Sequence, residues 1–175
     1  MSKTEENLKA AFAGESQARN KYTFFAQVAK KEGLHYIAKI LEETAENEKR
    51  HAKDEFALLN GIGDTAANLE SAINGEQYET INMYPEFAKQ AEEEGNMAAA
   101  ALFRQIAKVE AHHMERYKRL LERIKNGTVY KREKPIKWKC GVCGYIHEGT
   151  EPPPKCPCCK HPMEYYEPAD MDTDI

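Results

Sequence analysis

The sequence predicts an all-α four-helix bundle over residues 1–127, a linker over residues 128–135 and a small cysteine-rich β/loop domain over residues 136–175. Three observations support this division. Residues up to about 126 are rich in alanine, glutamate, lysine and leucine and contain a single proline, Pro85. Seven of the eight prolines lie from Pro135 onward. All five cysteines lie within the last 36 residues, where helical periodicity is absent.

Four segments of the bundle region have the apolar spacing of an amphipathic helix. Ser2 and Glu5 have the spacing of a capping box before the first helix. Pro85 lies inside the third helix, whose pattern resumes at once, so we expect a kink there and not an end. Glycines that can end helices or form turns occur at Gly33, Gly61, Gly63, Gly75 and Gly95. The predicted helices span residues 4–31, 35–59, 76–94 and 97–125, with a short helical turn at 65–73 inside a crossover connection.

Charge and hydropathy exclude several classes of partner. The 175 residues carry a formal net charge of −4, with a pI near 5.9. This balance gives no electrostatic basis for binding nucleic acid or an anionic membrane surface. No run approaches the ~18 apolar residues of a membrane span. The first residues, MSKTEENLKAAFAGES, enter helical periodicity without the apolar core of a signal peptide. We therefore expect a cytoplasmic protein with no nucleic-acid or membrane partner.

The stretch LEETAENEKRH at residues 41–51 contains four glutamates, and only one of them occupies a core position. Helical residues advance by ~100° each, which places Glu48 near the centre of the apolar face of the second helix. His51 lies one turn further along the same face. The other three glutamates, Glu42, Glu43 and Glu46, fall on the solvated face. The apolar face consists of Leu41, Ala45, Ala52, Phe56 and Leu59.

Acidic residues also lie on the apolar faces of the other three helices. A lone buried carboxylate costs several kcal/mol and normally takes up a proton. A single inward glutamate would therefore be an ordinary structural residue, but five of them with two histidines need compensation. No comparable set of inward lysines or arginines is available, so divalent cations are the simplest explanation. The inward residues are Glu15, Glu48, His51, Glu76, Glu79, Glu110 and His113.

The spacing of these residues is specific to one kind of metal site. Glu15 precedes Glu48-x-x-His51 by 33 residues, and Glu79 precedes Glu110-x-x-His113 by 31. Each half thus supplies one Glu and one Glu-x-x-His, which are the parts of a di-iron carboxylate bundle. The i, i+3 spacing places both side chains of Glu-x-x-His on one helix face. Oxygen and imidazole ligands suit iron or manganese. Glu76 is an additional carboxylate that breaks this symmetry.

Two Cys-x-x-Cys pairs predict a second metal site. The pairs are Cys140/Cys143 and Cys156/Cys159, separated by twelve residues, and together they can form a tetrahedral four-thiolate site. A domain this short needs such a metal to hold it together. Ligand type alone allows either zinc or iron. The fifth cysteine, Cys158, is left over and is expected to be an exposed bystander.

Taken together, residues 4–168 resemble the rubrerythrin family, in which a ferritin-like di-iron bundle precedes a rubredoxin-like four-cysteine iron domain. One departure is visible, because Lys160 follows the second cysteine pair where the family often has glycine. The match rests on Glu15, ENEKRH with Glu48 and His51, GEQYE with Glu76 and Glu79, MYP at 83–85, EAHH with Glu110 and His113, CGYIHEG and both cysteine pairs.

The resemblance implies two non-haem irons in the bundle and one iron, not zinc, at the four cysteines. It implies a peroxidase that reduces hydrogen peroxide to water for oxidative-stress defence, with electrons passing from the four-thiolate iron to the di-iron site. The chain has no Gly-x-Gly-x-x-Gly for a nucleotide, so a rubredoxin or a separate NAD(P)H-dependent reductase would supply the electrons. A homodimer or higher oligomer is implied as well. Tyr22 and Tyr84 match tyrosines that orient ligand carboxylates.

Two other functions remain open from the residues. A similar bundle can oxidise and store iron, although storage needs no internal electron donor. Alternatively, the cysteine domain is a zinc ribbon on a metal-stabilised bundle, which predicts a colourless four-thiolate site. Added reductant and peroxide would separate the first alternative from a peroxidase, and visible absorption would separate the second.

Overall fold

The protein, described here over residues 2–171 of a computed structural model, is mostly helical and ends in a small antiparallel sheet. It contains four long helical segments, the third of which is composite. Helices α1 and α2 span Lys3–Lys31 and His35–Leu58. The third segment joins α3 (Thr65–Tyr78), a π-helical turn (Glu79–Met83) and α4 (Tyr84–Glu93), and α5 spans Met97–Lys125. The strands are β1 (Ile136–Cys140), β2 (Ile146–Gly149) and β3 (Tyr166–Pro168).

The chain divides into two compact units, Met1–Gly63 and Asp64–Ile175. The first unit is a hairpin of α1 and α2. Its start is the predicted capping box, in which the Ser2 N–H donates to Glu5 Oε2 at 2.7 Å and the Glu5 N–H donates to Ser2 Oγ at 3.2 Å. The turn between the helices uses Gly33 with φ +78°, as predicted for a residue that ends a helix. Small side chains let the two helices approach closely around Ala26, Ala29 and Ala38.

The second unit begins with a helix that is longer than predicted. We expected only a short turn at 65–73, but the third segment starts at Thr65. Asp64 caps it, because its side chain accepts a hydrogen bond from the Ala67 N–H at 2.8 Å. Gly75 does not end the helix, contrary to its expected role. A glycine inside a helix costs only about 1 kcal/mol, which capping and packing can offset.

The helix continues past Pro85 by changing its hydrogen-bond register. Proline has no N–H, so the bond that it would donate one turn back is missing. In the π-helical turn just before it, the Tyr84 N–H donates to the Glu79 carbonyl, five residues back. The segment thus continues through Pro85, as predicted, and the change of register before it was not predicted.

The cysteine-rich domain is built on a three-stranded sheet of order β2-β1-β3. Both neighbours pair antiparallel with β1, and Cys140 lies opposite Tyr166. Trp138, Cys140, Cys156 and Tyr166 form its buried core. The Trp138 indole donates a hydrogen bond to the Gly149 carbonyl at 3.0 Å. This small core agrees with the expectation that the domain depends on a metal for its stability.

The predicted fold class, four long helices followed by a small β/loop domain, is confirmed. The predicted boundaries of the bundle, the linker and the cysteine-rich domain remain predictions. Among residues 2–171, none of the helices is long and apolar enough to cross a membrane.

Candidate metal centres

The first cluster of metal-binding side chains lies in the α1–α2 hairpin and comprises Glu15, Glu48 and His51. His51 Nδ1 lies 2.9 Å from Glu48 Oε2 and 3.4 Å from Glu15 Oε2. The Glu48 side chain is 17% exposed, although it belongs to a residue type that normally faces water. Glu15 Oε2 is buried and makes no hydrogen bond of ordinary geometry within residues 2–171. The hairpin thus directs two carboxylates and one imidazole toward one point.

The second cluster repeats this arrangement with Glu76, Glu110 and His113. His113 Nδ1 lies 2.7 Å from Glu110 Oε2 and 3.8 Å from Glu76 Oε1. The sequence spacing had indicated Glu79 as the counterpart of Glu15, and the structure places Glu76 in that position instead. Glu76 precedes Glu110 by 34 residues, which is closer to the 33 residues between Glu15 and Glu48 than the 31 of Glu79.

Glu79 begins the π-helical turn and lies outside the second cluster. Its charge acts on the Tyr84 phenol, as do the charges of Glu76 and Glu110 in that cluster. Burial raises the pKa of Tyr84, and the nearby charges of Glu79, Glu110 and Glu76 raise it further. The phenol therefore stays protonated and can donate a hydrogen bond. Tyr22 is half-buried and stacks at an angle on Phe25, with ring centroids 6.4 Å apart. Its contact with ligand carboxylates remains a prediction.

The electrostatics of both clusters favour a bound cation. Burial raises the pKa of Glu76, and the neighbouring Glu110 carboxylate raises it further. His51, predicted to face inward, is exposed, with 58% of its side-chain surface accessible. Desolvation acts to lower its pKa, but Glu15 and Glu48 outweigh it and the net pKa is raised. Both shifts mean that negative charge is crowded at these positions. A divalent cation relieves this repulsion, and carboxylate and imidazole donors suit iron.

The four predicted cysteine ligands converge in the cysteine-rich domain. Cys140 Sγ lies 3.6 Å from Cys159 Sγ, and Cys143 Sγ lies 3.6 Å from Cys156 Sγ. A tetrahedron with metal–sulfur bonds of about 2.3 Å has edges of about 3.8 Å, so this spacing fits a four-thiolate metal site. All four cysteines are free of disulfide bonds. Cys158 is exposed and is not part of this group, as predicted.

The two Cys-x-x-Cys turns have matching backbone geometry despite Lys160. Gly144 has φ +77°, and its N–H donates to the Cys140 carbonyl at 2.8 Å. Lys160 has φ +65°, and its N–H donates to the Cys156 carbonyl at 3.0 Å. Lysine thus takes the left-handed conformation that glycine adopts without strain, at a cost of the order of 1 kcal/mol. The backbone hydrogen bond of this turn is therefore present although Lys160 stands where the family often has glycine.

Backbone amides around the sulfurs favour the thiolate form of two cysteines. The N–H groups of Cys143 and Val142 lower the pKa of Cys140. Burial acts to raise the pKa of Cys156, but the amides of Cys159 and Cys158 and the Tyr166 hydroxyl lower it to about 6. Thiolates are the form that binds metal. Tyr166 is a residue of this site that the sequence patterns do not indicate, because a three-residue strand is too short to show a clear alternation.

Comparison with known proteins decides the family. A family model described as Rubrerythrin matches residues 6–121, and a second, described as Rubrerythrin, rubredoxin-like domain, matches residues 138–167. The chain belongs to the rubrerythrin family. It is 51% identical to the rubrerythrin of Porphyromonas gingivalis, over 95% of this chain and 90% of that protein. It is 45% identical to the rubrerythrin of Nitratidesulfovibrio vulgaris, over 95% of this chain and 94% of that protein.

A solved structure of nigerythrin in its fully reduced, all-ferrous state is 37% identical in sequence. The alignment covers 96% of this chain and 87% of nigerythrin, with a TM-score of 0.37.

Family membership and geometry together support the predicted cofactors. The chain carries a di-iron carboxylate site and a rubredoxin-like four-cysteine site. These features support an iron-based oxidative-stress protein, and the rubredoxin-like domain indicates electron-transfer partners. The individual ligand assignments, including Glu79, remain predictions.

Proposed function

We propose that this rubrerythrin-family protein is a non-haem di-iron peroxidase that reduces hydrogen peroxide to water. The reaction consumes one peroxide, two protons and two electrons and releases two waters. The observation that carries the proposal is the presence, in one chain, of two carboxylate–histidine clusters and a four-thiolate site. An iron pair supplies two-electron chemistry when bound, and a four-thiolate iron transfers one electron at a time.

The proposed ligands of the iron pair are the two clusters together with Glu79. Each Glu-x-x-His contributes a carboxylate and an imidazole from one helix face, and Glu15 and Glu76 complete the clusters. Glu79 is proposed as a carboxylate whose position depends on the π-helical turn, because it begins that turn. Turns of this kind occur frequently at functional sites. Irons bound by these groups would be held by oxygen and nitrogen atoms alone, a donor set that suits non-haem iron.

Tyr84 is proposed to position the carboxylates of the second cluster. Its phenol is half-buried, and the charges of Glu79, Glu110 and Glu76 act on it together with burial to raise its pKa. A protonated phenol in this environment can donate a hydrogen bond to a ligand carboxylate and fix its orientation. We propose the same role for Tyr22 in the first cluster, where only its half-buried place on α1 supports it.

Electrons are proposed to enter at the four cysteines and pass to the iron pair. The donor would be a rubredoxin or an NAD(P)H-dependent reductase, in keeping with the rubredoxin-like domain. We propose that the protein works in the cytoplasm as a homodimer or a higher oligomer.

Steady-state peroxide consumption tests the proposal. The iron-loaded protein is given an NAD(P)H-dependent reductase, a rubredoxin and hydrogen peroxide without oxygen, and both NAD(P)H and peroxide are followed. We expect many turnovers with one NAD(P)H oxidised per peroxide consumed. Peroxide consumption that stops once the bound iron is oxidised would contradict a peroxidase and support iron oxidation and storage. A four-cysteine site that is colourless and holds zinc would support the structural alternative.

A further inference from the structure

Tyr166 places a phenol hydroxyl inside the four-cysteine site. It is the first residue of β3 and pairs with Cys140 on β1. Only 4% of its surface is exposed, and it packs in one buried cluster with Trp138, Cys140 and Cys156. Two of its three neighbours in this cluster are therefore predicted metal ligands.

The Tyr166 hydroxyl is buried without an ordinary hydrogen-bond partner among the described residues. Its oxygen is buried and has no hydrogen bond of standard length and angle within residues 2–171. A buried hydroxyl without a partner has lost its hydrogen bonds to water, so such groups in folded proteins usually have a specific reason. The sulfurs of Cys140 and Cys156 lie in the same buried cluster as the Tyr166 ring. Burial raises the pKa of Tyr166, and of these two sulfurs that of Cys156 raises it the more.

A metal-bound thiolate would supply the acceptor that the hydroxyl lacks. A neutral thiol is a weak acceptor, whereas a thiolate carries charge and accepts stronger hydrogen bonds. We propose that Tyr166 donates a hydrogen bond to the Cys156 thiolate and thereby raises the reduction potential of the four-thiolate iron. The inference rests on iron at the four cysteines and is independent of peroxide as the substrate.

The direction of the effect is set by charge. Reduction adds one negative charge to an iron already surrounded by four thiolates. A hydrogen-bond donor aimed at sulfur stabilises the more negative, reduced state more than the oxidised state, and so raises the potential. Each Cys-x-x-Cys turn directs two backbone N–H groups at its first sulfur, which is Cys140 in one turn and Cys156 in the other. The backbone amides therefore act equally on the two turns. The Tyr166 hydroxyl is an additional donor to the Cys156 side alone.

The neighbouring Tyr165 offers a matched control. It is 51% exposed, and its ring contacts His161 with centroids 4.9 Å apart. Replacing Tyr165 by phenylalanine removes one hydroxyl from the adjacent residue without touching the buried cluster. Tyr166→Phe removes the buried hydroxyl and keeps the ring.

The first test compares reduction potentials of the full-length, iron-loaded proteins by titration of the visible thiolate-to-iron(III) absorption. For Tyr166→Phe we expect the equilibrium constant for reduction by a given one-electron mediator to fall about tenfold, which is about 59 mV. Tyr165→Phe should leave it unchanged. An unchanged or raised potential in Tyr166→Phe, with the absorption band intact, would overturn the proposal.

The second test uses the wild-type protein and decides the matter even if Tyr166→Phe fails to bind iron. The four-cysteine site is loaded with ¹¹³Cd²⁺, and the Tyr166 hydroxyl proton is sought by NMR. We expect a slowly exchanging hydroxyl resonance with scalar coupling to ¹¹³Cd through the Cys156 sulfur. A Tyr166 hydroxyl that exchanges rapidly or shows no such coupling would contradict the hydrogen bond. Neither measurement depends on peroxide turnover, so the proposed function can fail without affecting this result.

Discussion

At the residue scale, each histidine of the two carboxylate clusters faces a glutamate of its own helix and one from another helix. His51 Nδ1 lies 2.9 Å from Glu48, and His113 Nδ1 lies 2.7 Å from Glu110. The i, i+3 spacing makes this contact possible within one helix face. A cation bound at each site would offset the cost of holding these carboxylates partly away from water. Replacing individual side chains therefore tests the ligand assignment.

Glu48→Ala should remove iron from the bundle without unfolding the cysteine-rich domain. Loss of a group that merely orients a ligand typically lowers metal affinity 10–100-fold, so loss of a ligand should exceed about 100-fold. The measurement is iron content, with the visible thiolate absorption as the readout for the four-cysteine site. Glu43→Ala is the matched control, because Glu43 is exposed on the same helix. Full iron retention in Glu48→Ala would refute the ligand assignment.

Lys160→Gly should stabilise the cysteine-rich domain. Lys160 is held at φ +65°, where glycine is unstrained, so we expect the free energy of unfolding to rise by about 0.5–1 kcal/mol. The measurement is denaturant unfolding of the iron-loaded protein, followed by loss of the thiolate absorption. Lys160→Ala separates strain from the Lys160 Nζ hydrogen bond to the Pro157 carbonyl, because it removes only the latter. Equal stability of Lys160→Gly and Lys160→Ala would show that backbone strain is not the cause.

At the element scale, the π-helical turn affects how residues are oriented at the second cluster. It spans Glu79–Met83 and directly precedes Tyr84 and Pro85. One extra residue in a helix rotates the residues before it by about 100° relative to the residues after it. The turn therefore sets how Glu76 and Glu79 are oriented relative to Tyr84. Pro85 favours this register because it cannot donate the α-helical hydrogen bond.

Deleting Asn82 should return the segment to α-helical register and disturb the second cluster. Asn82 is exposed, so its deletion removes no packed side chain. We expect the helical circular dichroism to be retained and the bundle iron to fall, because Glu76 rotates away from Glu110 and His113. Asn82→Ala keeps the length of the turn and should bind iron normally. Normal iron content after the deletion would show that the register does not position the ligands.

Helical periodicity predicted that Glu48 and Glu110 face inward and that three neighbours of Glu48 face water. Glu48 and Glu110 are 17% and 16% exposed, whereas Glu42, Glu43 and Glu46 are exposed as expected. The same periodicity could not separate Glu76 from Glu79, because the two lie one turn apart and a π-helical turn begins at Glu79.

The start of the third helical segment, the four cysteine ligands and Tyr166 differ in how far the sequence could predict them. The start of the third segment was missed because its capping residue, Asp64, lies before a stretch interrupted by Gly75. The four cysteine ligands were predictable because spacing alone defines that site. The role of Tyr166 depends on burial and strand pairing, which the sequence does not show.

At the scale of the whole molecule, two kinds of iron chemistry are encoded in one chain. The carboxylate–histidine clusters lie within residues 15–113, and the four cysteines lie within residues 140–159. A protein that only stores iron needs the carboxylate–histidine clusters alone. A zinc-stabilised domain needs only the four cysteines, which hold a structural metal. The combination is what a peroxidase with its own electron relay requires.

Cys143→Ser should abolish catalytic turnover while leaving the iron pair able to react once. Cys143 is exposed, so its replacement removes a metal ligand with little disturbance of the buried core. We expect the visible thiolate band and the NAD(P)H-dependent peroxide consumption to be lost. Cys158→Ser should keep both, because Cys158 lies outside the four-cysteine group. Sustained turnover in Cys143→Ser would mean that electrons reach the bundle by another route.

The most direct measurement is rapid mixing of anaerobically reduced, iron-loaded protein with hydrogen peroxide, monitored by visible absorption. Oxidation of the four-thiolate iron produces a thiolate-to-iron(III) band, and peroxide loss is measured on the same timescale. Electron transfer from the four cysteines to the iron pair predicts that the band appears rapidly and in step with peroxide loss. Oxidation of the bundle iron with no such band, or with a band that lags far behind peroxide loss, would contradict the proposed electron route.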